Sequence, residues 1–348
     1  MRAVAIASDR SLQVVDIDRP VPGAGEVLVD VSFCGICGSD LHMLQMPAEM
    51  IPAGHVLGHE FTGAIAALGP SVGQWDVGER VAVVPMVPCG ACYACRIGRP
   101  NLCENGIDRG PGIGRQGAYA ESVSVPVGML RRLPPAISDA DGALIEPLAV
   151  AIRAISQSGA TPQEPVCVLG AGPIGLLTVA GLRARGFGRI AVVEPVAGRR
   201  AAAERLGART ATPEEAVASV PSLLGDEPPT TVIDSTGHPS GAPLAIELLP
   251  VAGRLTIVGL PGDPVPLSLD WVAVKEIVIR GSLTYTDRDF AEAMEHIAAG
   301  RIPCGQVATT KAPLEHASRW FADLSSGATQ QVKVLLSPRP GGPSSAAA

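Results

Sequence analysis

The chain has 348 residues, a length typical of about two domains, and its 47% hydrophobic and 18% charged residues provide enough apolar material for a sizeable core. The net charge of −7, the lack of a basic block and the 3% aromatic content argue against nucleic-acid binding by phosphate neutralisation and base stacking. No stretch approaches roughly 18 uncharged apolar residues, and the N-terminal sequence MRAVAIASDRSLQVVD acquires charge too early for a signal peptide. The chain is therefore predicted to be soluble and cytoplasmic, with no membrane or nucleic-acid partner.

The first 148 residues are predicted to be rich in β-structure. Strands are indicated at Glu26–Ser32, Glu60–Leu68 and Arg80–Pro85, and turns containing glycine and proline separate them. The polar and apolar residues of EVLVDVS alternate, which predicts that the first of these strands has one wet face.

From residue 149 onward, short apolar runs alternate with helical stretches. The predicted strands are Val166–Leu169, Ile190–Val193, Thr231–Asp234, Arg254–Val258 and Ile277–Ile279, and the predicted helices are Ile174–Arg185, Gly198–Leu206 and Ala242–Leu249. This order predicts βαβ units and a parallel sheet. After about residue 286, a helix (Asp287–Ala299) and a strand (Gln331–Leu336) are predicted to return the chain to the first domain, ahead of a low-complexity, frayed tail, SPRPGGPSSAAA.

Lysine and cysteine are distributed unevenly along the chain. The only lysines are Lys275, Lys311 and Lys333, so an N-terminal active site is predicted to use none. Eight cysteines are present, and several are clustered. In a long cytosolic chain, clustered cysteines indicate a metal site or catalysis rather than a disulfide framework.

The most specific motif is a set of four cysteines, Cys89, Cys92, Cys95 and Cys103. Thiolates at this spacing can close around one tetrahedral metal, and a four-cysteine shell leaves no open position, so the ion would be a structural zinc. Disulfides and an iron–sulfur cluster are the alternatives. The bacterial ferredoxin pattern places proline after the fourth cysteine, whereas Glu104 follows it here.

A second constellation combines Cys37 and His59, two residue types that can ligate a catalytic zinc. Such a pair alone is weak, since a lone cysteine and histidine are more often core residues. Ser39 and His42 add a hydroxyl and a titratable ring nearby. A catalytic zinc needs a third protein ligand, and Glu146 is a candidate because it is an acid within the apolar stretch LIEPLAVAIRA.

A third motif, VCVLGAGPIG, follows a predicted strand and opens a predicted helix. Gly170 would make the tight turn, Gly172 would let the backbone approach a pyrophosphate, and Gly175 would allow close helix–strand packing. Glu194 ends the next predicted strand, where such folds bind the adenosine ribose. A plain βα turn is the alternative interpretation.

Together these residues resemble the zinc-containing medium-chain dehydrogenase/reductase family, in particular its branch of sorbitol, butanediol and threonine dehydrogenases. The resemblance rests on CGICGSDLH, GHVLGHEFTG, CGACYAC with NLC, LIEPLAVAIRA, VLGAGPIG and DSTG (Asp234–Gly237), which span almost the whole chain. It implies an α/β fold. A GroES-like β-rich catalytic domain (1–148 and 286–348, with a structural zinc lobe at about 86–106) would be interrupted by a Rossmann domain (149–285), with the active-site zinc in the cleft between them.

The resemblance also implies roles for single residues. Cys37 and His59 match catalytic zinc ligands, Glu146 matches the third ligand position, and Glu60 matches an acid that ligates zinc directly in some relatives. Asp40 matches a partner of the ligand histidine, and Ser39 and His42 match a proton relay. The matching cofactor-binding residues are Gly170, Gly172, Pro173, Ile174, Gly175, Glu194, Arg199, Val258, Gly259, Leu283 and Thr284.

The predicted function is therefore transfer of a hydride from a secondary alcohol or polyol to NAD by an enzyme that holds two zinc ions per chain. An NAD-dependent dehydrogenase of a hydroxy-amino acid such as threonine is the first alternative, and a non-catalytic NAD- or metal-binding protein is the second. The resemblance further implies a homo-oligomer and favours a tetramer over a dimer.

Overall fold

The computed structural model describes residues 1–326 and 329–338, so most of the predicted tail lies outside the described residues. Fifteen β-strands lie in the described part: β1 (Arg2–Ile6), β2 (Leu12–Asp16), β3 (Glu26–Gly35), β4 (Glu60–Leu68), β5 (Arg80–Val83), β6 (Ser122–Pro126), β7 (Leu130–Arg132), β8 (Val166–Leu169), β9 (Ile190–Val193), β10 (Arg209–Ala211), β11 (Thr231–Asp234), β12 (Arg254–Ile257), β13 (Val278–Gly281), β14 (Thr310–Pro313) and β15 (Val334–Ser337).

Twelve α-helices lie in the same described ranges: α1 (Gly38–Gln45), α2 (Tyr93–Arg96), α3 (Asp139–Gly142), α4 (Ile145–Ser158), α5 (Pro173–Ala184), α6 (Ala197–Arg205), α7 (Ala216–Leu223), α8 (Gly241–Leu248), α9 (Leu269–Val274), α10 (Asp287–Ala298), α11 (Cys304–Val307) and α12 (Ala317–Ser325). None of them is long and apolar enough to cross a membrane.

The chain divides into two compact units, residues 1–146 with the segment from Ala308 onward, and residues 147–307. The first crossing falls close to its predicted position, but the second comes later than the predicted residue 286. Helix α10 stays with the second unit because Arg185 donates hydrogen bonds of 2.7 and 3.0 Å to Glu292, and Arg153 lies 3.7 Å from Asp289.

The first unit is built on a sheet with the strand order β14-β15-β3-β4-β5-β7, in which β6 also pairs with β3. The prediction of one wet face for β3 is wrong, since Leu28 and Ser32 are buried along with the valines between them. The pairing of β3 with β4 shifts register between Leu28 and Val29 and again between Val31 and Phe33. Such bulges interrupt the strict alternation of faces on which the prediction relied.

The returning segment adds strands β14 and β15 to this sheet. Strand β15 runs antiparallel to β3 and sets Leu335 opposite Gly35 and Leu336 opposite Cys34. The residues just before β15 therefore lie beside the end of β3, which is followed directly by Cys37 and α1.

The second unit contains six parallel strands in the order β10-β9-β8-β11-β12-β13. All residues of β8, β9 and β11 are buried, as expected for strands covered on both faces. The order reverses direction at β8, which is the doubly wound arrangement of a Rossmann domain and confirms the predicted parallel sheet. In such sheets ligands bind at the carboxyl edge of the strands, where the glycine-rich turn follows β8.

Candidate metal centres and cofactor site

Cys37 and Asp40 are joined at the start of α1. Cys37 occupies the N-cap position, and its backbone N–H donates a 2.9 Å hydrogen bond to Asp40 Oδ2 in the first turn. This contact satisfies one of the backbone groups that a helix start leaves unpaired. The sequence CGSD therefore sets the position of a thiol and a buried carboxylate within one helical turn.

His59 lies against that carboxylate. Its Nδ1 is 3.4 Å from Asp40 Oδ1, and its Nε2 is 3.4 Å from Ser39 Oγ. Both Asp40 Oδ1 and His59 Nδ1 are buried, and neither has another hydrogen-bond partner among the described residues. The two atoms therefore face each other, which leaves Nε2 as the imidazole atom available to a metal. Burial lowers the pKa of His59, but the Asp40 carboxylate outweighs it and raises that pKa well above its usual value.

Tyr119 completes the surroundings of Asp40, and none of the sequence motifs described above includes it. Its side chain is fully buried, and its hydroxyl donates a 2.6 Å hydrogen bond to Asp40 Oδ2. Burial and the nearby Asp40 charge raise the pKa of Tyr119 well above its usual value, so the phenol keeps its proton. Although burial alone would raise the pKa of Asp40, its contacts with His59, Tyr119 and the Cys37 backbone lower it.

Glu60 and Lys333 form a buried ion pair beside these residues. Both side chains are only 1% exposed, and Lys333 Nζ contacts Glu60 Oε2 and donates a 2.9 Å hydrogen bond to Ile36 O. A side chain at Gly35 would not fit, since its Cβ would lie 2.2 Å from Glu60 Oε2. The prediction that an N-terminal site uses no lysine is therefore wrong, because the returning chain supplies one. Burial lowers the pKa of Lys333, but the charge of Glu60 outweighs it and raises that pKa.

One ligand atom each from Cys37, His59 and Glu60 lies within 4.8 Å of the others. Sulfur, imidazole nitrogen and carboxylate oxygen are ligands that zinc accepts, so these residues fit the predicted ion. Glu146 lies in the first turn of α4 and its charge also raises the pKa of Lys333, but its carboxylate is outside this three-residue group. Ser39 and His42 are exposed on α1, three residues apart and hence on one helix face.

The other four predicted metal ligands, Cys89, Cys92, Cys95 and Cys103, also come together, with their sulfur atoms within 4.8 Å of one another. Backbone N–H groups point at them: Cys92 N lies 3.3 Å from Cys89 Sγ, and Cys89 N lies 3.2 Å from Cys103 Sγ. Hydrogen bonds from the N–H groups of Ala91 and Cys92 lower the pKa of Cys89 to about 6. The set fits a tetrahedral zinc with no open position.

The predicted pyrophosphate turn has the geometry that its glycines require. Gly170 has a positive φ of 88°, and Gly172 is the N-cap of α5, with Pro173 and Ile174 as its first residues. A Cβ at Gly175 would lie 2.0 Å from Gly170 O, so only glycine permits this approach of helix and strand. The half-buried start of α5 offers backbone N–H groups to an anion.

Glu194 directly follows β9 and is tied to the glycine-rich turn. Its Oε2 accepts a 2.8 Å hydrogen bond from Ala171 N, and its Oε1 accepts a 2.9 Å bond from Val196 N. The carboxylate is thereby held in one orientation. In α6, Arg199 Nε is buried with no hydrogen-bond partner in the described ranges, while Arg200 is bound to the backbone oxygen of Glu194.

The remaining predicted cofactor residues follow neighbouring strands. Val258 and Gly259 come after β12, and their backbone N–H groups donate hydrogen bonds of 2.8 and 3.1 Å to Asp234 O. Leu283 and Thr284 come after β13, where Leu283 is exposed and Thr284 has a positive φ of 50°. All these residues therefore lie at the carboxyl edge of the parallel sheet.

Comparison with known families identifies a domain in each of the two units. Residues 23–135 match the alcohol dehydrogenase GroES-like domain, and residues 173–299 match the zinc-binding dehydrogenase domain. The predicted GroES-like and Rossmann architecture is confirmed. Sorbitol dehydrogenase of Bacillus subtilis is 31% identical over 346 residues, covering 97% of each chain. The 2-dehydro-3-deoxy-L-galactonate 5-dehydrogenase of Pseudoalteromonas atlantica is 31% identical over 339 residues, covering 97% of this chain and 98% of that one.

Solved structures give the same result. An alcohol dehydrogenase of Escherichia coli in complex with NADH superposes with a TM-score of 0.88 at 30% identity. A zinc-binding dehydrogenase of Sinorhizobium meliloti bound to NADP gives 0.89 at 30%. The 2R,3R-butanediol dehydrogenase of Bacillus subtilis gives 0.86 at 30%. Each comparison covers 97% of this chain and 99% of the other.

The buried ion pair generates a first prediction. Replacing Lys333 with methionine keeps much of the side-chain volume but leaves the Glu60 carboxylate buried and unpaired. Removing one partner of a buried pair typically costs about 3–5 kcal/mol. Lys333→Met should therefore lower the free energy of unfolding by about that amount. Urea unfolding monitored by circular dichroism measures this difference.

Lys311 provides the matched control, because it is exposed in β14. Lys311→Met should change stability by less than about 0.5 kcal/mol. Equal effects of the two substitutions would contradict the role given to the ion pair.

Proposed function

We propose a specific reaction for this chain, which belongs to the zinc-containing medium-chain alcohol dehydrogenase family. It is an oxidoreductase, and we propose that it oxidises a secondary alcohol or polyol to the ketone with transfer of a hydride to NAD. The observation that carries the proposal is the group formed by half-buried Cys37 and buried His59 and Glu60, whose ligand atoms lie within 4.8 Å of one another.

Cys37 and His59 would hold the catalytic zinc, with a carboxylate from Glu60 or Glu146 as a further ligand. When bound, zinc supplies Lewis acidity that lowers the pKa of an alcohol hydroxyl. Cys89, Cys92, Cys95 and Cys103 would hold the structural zinc. The closed four-sulfur set supports this division of roles, because a catalytic site must keep a position open for substrate.

Ser39 and His42 are the proposed path for the substrate proton. Ser39 Oγ lies 3.4 Å from His59 Nε2, the atom proposed to bind zinc, so the hydroxyl is close to where the alcohol would react. His42 lies one turn further along the exposed face of α1 and can pass the proton to solvent.

We propose NAD rather than NADP as the cofactor. The carboxylate of Glu194 is held by Ala171 N–H and Val196 N–H at the end of β9, where a dinucleotide ribose binds in folds of this order. A 2′-phosphate there would meet a negative charge in a largely buried position. Arg199, in the helix that follows Glu194, is also proposed to bind the nucleotide. Its buried Nε has no hydrogen-bond partner among the described residues, which supports that role.

The proposed substrate carries a hydroxyl next to the reacting one. Glu60 and Glu146 make the surroundings rich in carboxylate oxygens, which accept hydrogen bonds from additional hydroxyls. Plain alcohols lack such a group and would not form these additional hydrogen bonds. The similarity to sorbitol and butanediol dehydrogenases supports the same class.

We also propose a cytoplasmic homo-oligomer, with a tetramer favoured over a dimer by the family resemblance. The eight cysteines, all within the described residues, are free thiols, as in cytosolic proteins. Strand β13 is the last strand of its sheet. Its first residue, Val278, is exposed, as are Leu269, Trp271 and Val274 of the preceding helix α9. Exposed apolar groups of this kind indicate an interface. Light scattering of the purified protein tests this assembly, and a monomer would refute it.

Metal analysis provides the first test of the site. The wild-type protein should contain two zinc ions per chain, and Cys37→Ser should contain one, with activity lost and the circular dichroism spectrum retained. Cys92→Ser should instead lower stability, because binding energy at a structural site is folding energy. Cys167→Ala, deep in the other unit, should keep both ions. Two ions in Cys37→Ser would refute the catalytic ligand set.

Cofactor choice provides a second test. The ratio of kcat/KM for NAD over NADP should exceed about tenfold, and Glu194→Gln should reduce it because the repelling charge is removed. Glu204→Gln, an exposed carboxylate on α6, is the control and should leave the ratio unchanged. Equal use of both cofactors by the wild-type enzyme would overturn the assignment.

Matched substrates test the reaction itself. A vicinal diol such as 2,3-butanediol should be oxidised with a kcat/KM about 10–100-fold above that of 2-butanol. This corresponds to one hydrogen bond to a charged group, about 1.5–3 kcal/mol. A preference for the plain alcohol would contradict the polyol class while leaving the zinc and NAD proposals standing.

A further inference from the structure

Tyr119 lies one step behind the proposed zinc site, because its hydroxyl donates to Asp40, which is not one of the proposed ligands. Its hydroxyl donates a 2.6 Å hydrogen bond to Asp40 Oδ2, the oxygen that also accepts from Cys37 N–H. The other oxygen of the same carboxylate faces His59 Nδ1 at 3.4 Å. One carboxylate thus connects Tyr119 to the backbone of one proposed ligand and to the side chain of the other.

The ring of Tyr119 is held by three parts of the first unit. A Cβ at Gly58, the residue before His59, would lie 2.8 Å from Tyr119 Cδ1, so the ring packs directly against that backbone. Phe321 of α12 contacts the ring edge to face, with centroids 5.8 Å apart. The hydroxyl oxygen is also 3.0 Å from Gly35 O at the end of β3. The phenol therefore has almost no freedom to move away from Asp40.

We propose that Tyr119 is a positioning residue for the catalytic zinc, acting by fixing the orientation of the Asp40 carboxylate. Without the Tyr119 hydrogen bond, only Cys37 N–H holds Asp40 Oδ2, and the orientation of the carboxylate is less restricted. The imidazole of His59 then loses the fixed partner that keeps Nε2 directed at the metal. Groups that orient a metal-binding histidine typically change metal affinity by about 10–100-fold when removed.

This inference rests on the proposed zinc site and is tested through zinc affinity. Holoenzyme is dialysed against rising concentrations of nitrilotriacetate, and the zinc ions retained per chain are counted. Tyr119→Phe removes the hydroxyl and keeps the ring. It should lose one of the two ions at a chelator concentration about tenfold lower than wild type, and retain the other ion as wild type does. After cobalt substitution, its visible absorption bands should shift, because the histidine ligand is no longer held in one orientation.

Two further variants separate positioning from packing. Phe321→Leu loosens the packing around the ring but keeps the hydroxyl, so it should lower the thermal midpoint without changing the chelator midpoint. Asp40→Asn should weaken zinc binding, and adding Tyr119→Phe to it should have little further effect, because both act through one carboxylate. Additive effects, or equal shifts in Tyr119→Phe and Phe321→Leu, would overturn the proposal.

A different result would refute the proposed function itself. If Cys37→Ser retains both ions throughout the titration, zinc is not bound by Cys37, and the proposed site is wrong. If Cys37→Ser loses one ion but Tyr119→Phe behaves as wild type, the site stands and the positioning role of Tyr119 is refuted. Loss of both ions together in Tyr119→Phe would show a general loosening and would also refute it.

Discussion

The first unit depends on one buried carboxylate. Asp40 is fully buried and ionised, and its surroundings compensate the cost of removing that charge from water. Cys37 N–H and Tyr119 O–H donate to one oxygen, and His59 faces the other. These partners come from the start of α1, the loop before β6 and the residue before β4. Satisfying Asp40 therefore brings a thiol and an imidazole together, which is the arrangement that a metal requires.

A buried ion pair lies beside Asp40 and its partners. It joins two segments of the first unit that are far apart in sequence. Glu60 follows His59 directly, and its partner Lys333 comes from the segment that pairs with β3. The pairing of β15 with β3 is thus coupled to the position of a candidate zinc ligand. A carboxylate held by a lysine has less negative charge to offer a metal. Glu60 consequently differs from Glu146, which lies outside the group that Glu60 forms with Cys37 and His59.

Much of this organisation can be read from the sequence, and the exceptions have physical causes. Strands β4, β8, β9 and β11 were predictable to the residue, because buried strands between turns leave a local apolar signal. CGSDLH and VLGAGPIG describe local geometry in the same way. Tyr119 and Lys333 could not be found, since they approach Asp40 and Glu60 from 79 and 273 positions away. Helix α10 was assigned to the wrong side of the crossing because its arginine partners are distant in sequence, Arg153 in α4 and Arg185 directly after α5.

The most direct test of this account is crystallographic diffraction of the holoenzyme measured on both sides of the zinc absorption edge. The account predicts two anomalous peaks per chain. One should lie among the four clustered cysteines, and the other should lie within bonding distance of Cys37 Sγ and His59 Nε2, with Nδ1 facing Asp40. A missing second peak, or zinc bound to His59 Nδ1, would contradict the claim that Asp40 orients the imidazole for the metal.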